Sequence, residues 1–109
     1  MNHELRYKIL KIFQENPEIS QRELAKKLGI SLGKANFCVQ ALIARGLIKA
    51  KRFRSSNNKL AYVYLLTPGG IEEKTKVTLR FLRNKIEEYE MMRKEIQELT
   101  KEVNSSGKL

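Results

Sequence analysis

The sequence predicts a mainly α-helical fold with one small β-hairpin and a long C-terminal helix. Glycine, proline and capping residues divide the first 46 residues into three helical segments. Apolar residues then nearly alternate with cationic ones over residues 47–54, and after a polar turn residues 60–66 are rich in β-branched and aromatic residues, as in a β-hairpin. After Gly70 neither glycine nor proline occurs until Gly107, so one uninterrupted helix can follow the hairpin.

Start and stop signals bound the first three helices. Pro17 ends the first, because the residue before a proline is driven out of the α region. Ser20 and Glu23 match a capping box that starts the second helix, and Gly29 suits its C-terminal cap. Ser31 can cap the third. Two helices joined by a short turn that contains glycine predict a helix-turn-helix.

The order of helix, helix-turn-helix and hairpin is the winged-helix arrangement. We therefore expect a winged-helix DNA-binding domain over residues 1–67, a long coiled-coil dimerisation helix over residues 68–104, and a disordered tail over residues 105–109. Apolar residues at helical spacing, with one from the second strand, predict the core: Leu5, Ile9, Phe13, Leu24, Leu28, Val39, Leu42 and Leu65. On the third helix the same inner stripe includes Leu32, Ala35 and Ile43.

The charge balance predicts a polyanionic partner. The chain of 109 residues has 22 Lys and Arg against 12 Glu, a net charge of +10. Residues 1–66 carry 13 cations and 4 Glu, which is +9 of that excess. Nucleic acid is the first candidate partner and an anionic membrane surface the second.

Several other classes of function find no support in the residues. No apolar run is long enough to span a membrane, and no signal peptide is recognisable. The single cysteine, Cys38, cannot form an internal disulfide, which suits a reducing cytoplasm; a redox role for it stays an open alternative. No metal-ligand spacing and no nucleophile–base pair occurs, so we expect neither metal, cofactor nor enzymatic activity.

The third helix is the predicted recognition helix. The second helix of a helix-turn-helix lies in the major groove, and residues 31–48 contain no acidic residue. Asparagine and glutamine can pair with adenine, lysine with guanine or phosphate, and an aromatic ring can contact a thymine methyl. The candidate DNA contacts are Ser31, Gly33, Lys34, Asn36, Phe37 and Gln40. The alternatives are a solvated face for the polar residues and, for Phe37, packing on the first helix or on a partner chain.

The hairpin carries a second group of candidates. Five cations and no acid fall within residues 49–59, a pattern that favours contact with phosphates: Lys49, Lys51, Arg52, Arg54 and Lys59. The alternative is a hairpin whose charge merely keeps it soluble.

The long helix predicts self-association. Its apolar positions lie close to a 3.5-residue repeat, as in a left-handed coiled coil. They are Leu79, Leu82, Ile86, Tyr89, Met92, Ile96, Leu99 and Val103. The alternative is a helix packed on its own domain, but only its first part can reach that domain. Parallel and antiparallel pairing remain equally open.

Two stretches carry a family resemblance. SQRELAKKLGISLGKANFCVQALIARGLIK and LAYVYLLTPGGIEEKTKVTLRFLRNKIEEYE resemble the small exopolysaccharide-associated transcriptional regulators of the MarR-like winged-helix group. The second stretch is the more specific of the two. The resemblance covers nearly the whole chain and implies a bacterial DNA-binding regulator linked to surface-polysaccharide genes.

These observations predict a cytoplasmic homodimer that binds double-stranded DNA at specific sequences and regulates transcription. Two alternatives from other classes remain: a protein-interaction module built from the winged helix and the coiled coil, and an RNA-binding protein. The operator, the direction of regulation and any effector ligand cannot be derived from the residues.

Overall fold

The predicted architecture is confirmed in the computed structural model, which describes residues 1–54 and 56–107. Three short helices precede an antiparallel two-stranded hairpin, and one long helix follows it. The elements are α1 (His3–Glu15), α2 (Gln21–Leu28), α3 (Leu32–Ala44), β1 (Ile48–Arg54), β2 (Leu60–Leu66) and α4 (Pro68–Ser105).

Local hydrogen bonds set the boundaries of the helix-turn-helix as the sequence predicts. Ser20 and Glu23 form the reciprocal capping box at the start of α2. Gly29 ends α2 with a φ of 66°, a left-handed conformation that glycine adopts without steric cost. Ser31 Oγ accepts from the backbone N–H of Lys34 at 3.1 Å and so caps α3.

The core lies where α1, α2 and α3 meet the inner face of the hairpin. Phe13, Leu24 and Leu42 are almost completely buried there. The ring of Tyr64 on β2 stacks on Phe13, with ring centroids 4.9 Å apart. Cys38 is buried in the same cluster.

Two predicted core residues are exposed instead. Leu65 is 37% exposed because it lies opposite Lys49 on the outer face of the hairpin, whereas Tyr64 lies opposite Ala50 and faces the helices. Leu32 is 42% exposed at the first position of α3, before the helix reaches the core. Helical spacing alone does not distinguish an apolar residue at an exposed helix end from one on the buried face in the middle of the helix.

The hairpin is tied to the helices by main-chain bonds as well as by side chains. The backbone N–H of Tyr64 donates to the carbonyl of Pro17 at 2.8 Å, which joins β2 to the turn between α1 and α2. The backbone N–H of Thr67 donates to the carbonyl of Leu47 at 3.1 Å. This bond holds the residue after β2 against the residue before β1, and we call this junction the corner.

The long helix α4 starts directly on that corner. Thr67 Oγ1 donates to the carbonyl of Gly46 and accepts the backbone N–H of Gly70, which caps α4. Gly70 is buried, and a Cβ placed on it would lie 2.0 Å from the carbonyl oxygen of Leu47. Only glycine therefore allows α4 to approach the domain this closely.

The first turns of α4 pack against α1. Val77 is buried, and Phe81 stacks on Tyr7 with ring centroids 5.2 Å apart. Arg6 forms an ion pair with Glu73 at 2.9 Å across the same contact. Leu79, Leu82 and Ile86, the first residues of the predicted coiled-coil stripe, lie on a different face of α4 from these contacts, so both faces can be used at once.

Beyond this contact α4 extends away from the domain. The helix has 38 residues, and the molecule measures 70 × 28 × 22 Å. At 1.5 Å per residue α4 is about 57 Å long, about twice the width of the domain it leaves. Ser105 is its last helical residue, with Ser106 and Gly107 following; the last two residues of the predicted tail, 108 and 109, lie outside the described residues.

Two neighbouring glycines provide a matched test of the corner. Gly70→Ala should lower stability by about 1–3 kcal/mol, because the new methyl group overlaps the Leu47 carbonyl and backbone must shift. Gly69→Ala should be neutral or stabilising, because its Cβ meets only ordinary contacts at 3.6 and 3.7 Å. Thermal and urea unfolding of both variants measures the difference. Equal stability of the two variants would contradict the close packing.

Candidate nucleic-acid interface

The outer face of α3 is open to solvent along its length. Ala35, Val39 and Leu42 are buried on the inner side. Phe37 is 69% exposed on the outer side, and Gln40 is exposed beside it. Packing of Phe37 on α1, one of the alternatives from the sequence, is therefore wrong within a single chain.

The start of α3 combines a cap with an approachable backbone. Ser31, Gly33 and Lys34 are all exposed. A Cβ on Gly33 would meet nothing within 4 Å, so the surface beside this backbone is empty. Ser31 Oγ accepts from Lys34 N–H, and its own hydroxyl hydrogen is still available to donate. A nucleic acid can therefore contact the backbone at Gly33 and the side chains of Ser31 and Lys34 at the same time.

Asn36 is engaged in a hydrogen-bond chain that the sequence did not reveal. Its Nδ2 donates to Gln21 Oε1 at 3.0 Å, and Gln21 Nε2 donates to the hydroxyl of Tyr64 at 3.1 Å. The chain links α3, α2 and β2. Gln21 was not among the predicted site residues, because partners 15 and 43 residues away leave no periodic signal in a sequence.

The hairpin of β1 and β2 is the wing of the winged helix. Its cations divide between the two faces of the hairpin. Side chains alternate along a strand, so Arg52 and Arg54 lie on one face, and Lys49 and Lys51 on the other. All four are exposed, as is Lys59 just before β2. The sequence predicted these cations as phosphate contacts without assigning them to faces, and the structure presents positive charge on both faces of the two-stranded hairpin.

The two arginines among these cations contact neighbouring side chains near the tip of the hairpin. The guanidinium carbon of Arg52 lies 5.8 Å from the ring centroid of Tyr62, the residue opposite it in the ladder. Arg54 Nη1 lies 3.4 Å from Asn58 Oδ1, and Asn58 has a φ of 58° in the turn. These contacts limit the range of the two side chains without neutralising their charge.

The predicted dimerisation residues form an exposed apolar stripe on α4. Their side chains are between 37% and 62% exposed, and none belongs to the core of the domain. The stripe consists of Leu79, Leu82, Ile86, Tyr89, Met92, Ile96, Leu99 and Val103. Contiguous apolar surface of this kind on one helix is typical of an interface.

Residues 1–54 and 56–107 contain neither a cluster of metal-ligating side chains nor a membrane-spanning helix. No group of three or more His, Cys, Asp or Glu side chains in this part of the chain could hold a metal ion. No helix there is both long and apolar enough to cross a membrane.

Comparison with known families identifies the fold. A family model described as "Winged helix-turn-helix DNA-binding" matches residues 3–49, which comprise α1, α2, α3 and the start of β1. The chain is thus a winged helix-turn-helix protein with a long C-terminal helix. No curated protein sequence matches the chain significantly.

Solved structures with the same fold are transcriptional regulators. BldR from Sulfolobus solfataricus is 26% identical, with a TM-score of 0.62 over 94% of this chain and 70% of that one. A transcriptional regulator homologue from Pyrococcus horikoshii OT3 is 20% identical, with a TM-score of 0.58 over 79% and 83%. Wild-type MarR from E. coli is 20% identical, with a TM-score of 0.52 over 84% and 75%. The MarR-like part of the resemblance is supported by these neighbours at the level of the fold.

The exposure of Phe37 predicts that it contributes little to folding. Phe37→Ala should change the free energy of unfolding by no more than about 0.5 kcal/mol, as surface substitutions usually do. Phe13→Ala, the matched control in the core, should cost about 3–5 kcal/mol. Urea denaturation of the two variants makes the comparison. A loss of several kcal/mol from Phe37→Ala would place this ring inside a packed interface.

Proposed function

We propose that the protein is a homodimeric transcriptional regulator that binds double-stranded DNA at specific sequences in the cytoplasm. The observation that carries the proposal is the exposed outer face of α3, which has no acidic residue and presents a large aromatic side chain beside lysine and glutamine. If α3 lies in the major groove of DNA, the exposed ring of Phe37 can contact a thymine methyl group, and this accounts for its position on the outer face.

In this arrangement the outer face of α3, from its N-terminus to Gln40, contacts base edges. Gln40 and Asn36 are the proposed readers of adenine, and Phe37 contacts a thymine methyl. Lys34 contacts guanine or a phosphate. Gly33 allows the backbone at the start of α3 to approach the DNA, because it has no Cβ and no other atom lies within 4 Å of where a Cβ would be. Ser31, the exposed N-cap, is proposed to contact the DNA through its hydroxyl group.

The wing supplies contacts that do not depend on sequence. A hairpin with cations on both faces can contact phosphates on either side of a groove or along one strand. Such contacts set register and affinity, while base contacts set specificity. The proposed phosphate contacts are Lys49, Lys51, Arg52, Arg54 and Lys59.

The apolar stripe on α4 supports the dimer. Its residues repeat close to every seventh position and continue far beyond the domain. The first of them, Leu79 and Leu82, lie on a different face of α4 from Val77 and Phe81, which pack on the domain. Two such stripes packed together would remove both from water. A two-fold dimer of winged helices reads two half-sites about 34–36 Å apart, or a multiple of that distance.

The resemblance to exopolysaccharide-associated regulators provides the first candidate targets. The solved neighbours are described as transcriptional regulators, and this supports regulation as the role of DNA binding here. We propose that promoters of surface-polysaccharide genes contain the operator. Occupancy of genomic DNA by the tagged protein, mapped across the whole chromosome, tests this target directly.

Affinity for duplex DNA should fall steeply with salt. A dimer that contacts phosphates through two wings should give a log–log slope of binding against salt of magnitude about 5 or more. Titration of duplex DNA and of single-stranded RNA at several salt concentrations measures it. Equal or tighter binding to the RNA would favour the RNA-binding alternative, and a flat response would exclude a nucleic-acid role.

The wing variants provide the control for this measurement. Arg52→Glu combined with Arg54→Glu should weaken binding to every sequence by the same factor and reduce the slope, because phosphate contacts carry no sequence information. Lys94→Glu on the distal part of α4 makes the same type of charge change far from the wing and should leave the slope unchanged.

Removal of the distal half of α4 should convert the dimer to a monomer. Truncation after Arg83 retains Val77, Phe81 and the ion pair of Glu73, so the winged helix should stay folded. The truncated chain should lose preference for a two-fold-repeated site yet keep weak, salt-sensitive binding. Analytical ultracentrifugation of both chains at micromolar concentration measures the state of association.

Two point variants in the full-length chain separate the stripe from the helix as a whole. Ile96→Lys places a charge within the stripe and should dissociate the dimer. Gln97→Lys makes the same charge at the next, polar position and should not. Dimers in both point variants and in the truncated chain would locate the interface in the winged helix or in the first turns of α4.

A further inference from the structure

We propose that Gln21 is a positioning residue that orients the side-chain amide of Asn36 and thereby sharpens base selection at the site that Asn36 reads. The inference rests on the proposed DNA-binding function and adds to it a residue on α2. Its basis is the hydrogen-bond chain from Tyr64 through Gln21 to Asn36.

The inner end of the chain is fixed by the core. Tyr64 is only 5% exposed, its ring stacks on Phe13, and its backbone N–H is bonded to the carbonyl of Pro17. The phenolic oxygen therefore stands at a defined place beside the first turn of α2. An anchor of this kind does not move when a side chain at the surface changes its rotamer.

The middle of the chain is fixed by the start of α2. Gln21 is the first residue of α2, and the capping box of Ser20 and Glu23 holds the backbone of that turn. With its NH2 group directed to the Tyr64 hydroxyl, Gln21 presents its carbonyl oxygen to Asn36. A carbonyl oxygen accepts hydrogen bonds and cannot donate them. Asn36 accordingly turns its own NH2 group towards Gln21.

This orientation leaves Asn36 with a defined pair of free groups. One N–H of its amide bonds Gln21, while the second N–H and the oxygen Oδ1 have no partner within the described residues. One free donor beside one free acceptor matches the adenine edge, which offers N6–H as donor and N7 as acceptor. An asparagine held in advance also loses less conformational freedom on binding than a mobile one.

The experiment compares base preferences of variants on a randomised duplex DNA library. Asn36→Ala should lower discrimination at one base pair of each half-site by about 5- to 150-fold, the range for a lost bidentate contact. Gln21→Ala and Tyr64→Phe should lower discrimination at that same base pair by about 3- to 10-fold and leave the others unchanged, since orientation is lost while the Asn36 contact can still form. Gln14→Ala, on the exposed side of α1, is the matched control and should change no preference.

A double variant tests whether Gln21 acts through Asn36. Discrimination by the chain with both Gln21→Ala and Asn36→Ala should equal that of Asn36→Ala alone. Tyr64→Phe should stay folded, because it keeps the ring that stacks on Phe13 and because Tyr64 and Gln21 line a surface cleft of about 420 Å³ that water can enter. Melting temperatures of all variants check the fold.

The outcomes separate the inference from the function on which it rests. A wild-type chain without any base preference would overturn both. Loss of preference in Asn36→Ala but not in Gln21→Ala or Tyr64→Phe would overturn only the role of Gln21. A uniform loss of affinity on every sequence in Gln21→Ala, with preferences intact, would likewise reduce Gln21 to a structural residue and overturn the inference.

Discussion

The stack of Phe13 on Tyr64 is the contact on which the arrangement of the winged helix depends. It joins α1 to the hairpin at the centre of the core, and the backbone bond from Tyr64 to Pro17 holds the same strand against the turn that leads into α2. Because side chains alternate along β2, the burial of Tyr64 places Leu65 on the outer face and Tyr62 towards the tip. This one buried ring therefore determines which residues of β2 face the helices and which face outward.

A second constraint, at the corner between α3 and β1, sets the direction of the long helix. The absence of a side chain at Gly70 lets α4 start against the Leu47 carbonyl, and the contacts of Val77 and Phe81 with the domain then determine its rotation. That rotation leaves Leu79 and Leu82, the first residues of the apolar stripe, facing away from the domain. Local packing thus orients a surface whose proposed partner is a second copy of the chain.

The proposed DNA surface shows how a site can depend on residues outside it. Phe37 and Gln40 are exposed on α3. Asn36, in contrast, donates a hydrogen bond to Gln21, and Gln21 donates one to Tyr64 of the core. The wing has the opposite character. Its two arginines contact a neighbouring ring and a turn asparagine at the exposed end of the hairpin, a place that suits contacts to phosphates.

The sequence by itself determined the elements, their order and most of their boundaries, because capping boxes, glycine caps and hydrophobic period are local signals. Ser20, Gly29 and Ser31 act as their positions predicted. Tertiary structure alone decided that Tyr64 and not Leu65 is buried, that the cations of the wing divide between two faces, and that Gln21 contacts Asn36. These outcomes depend on strand register and on contacts between residues far apart in the chain, which no local pattern records.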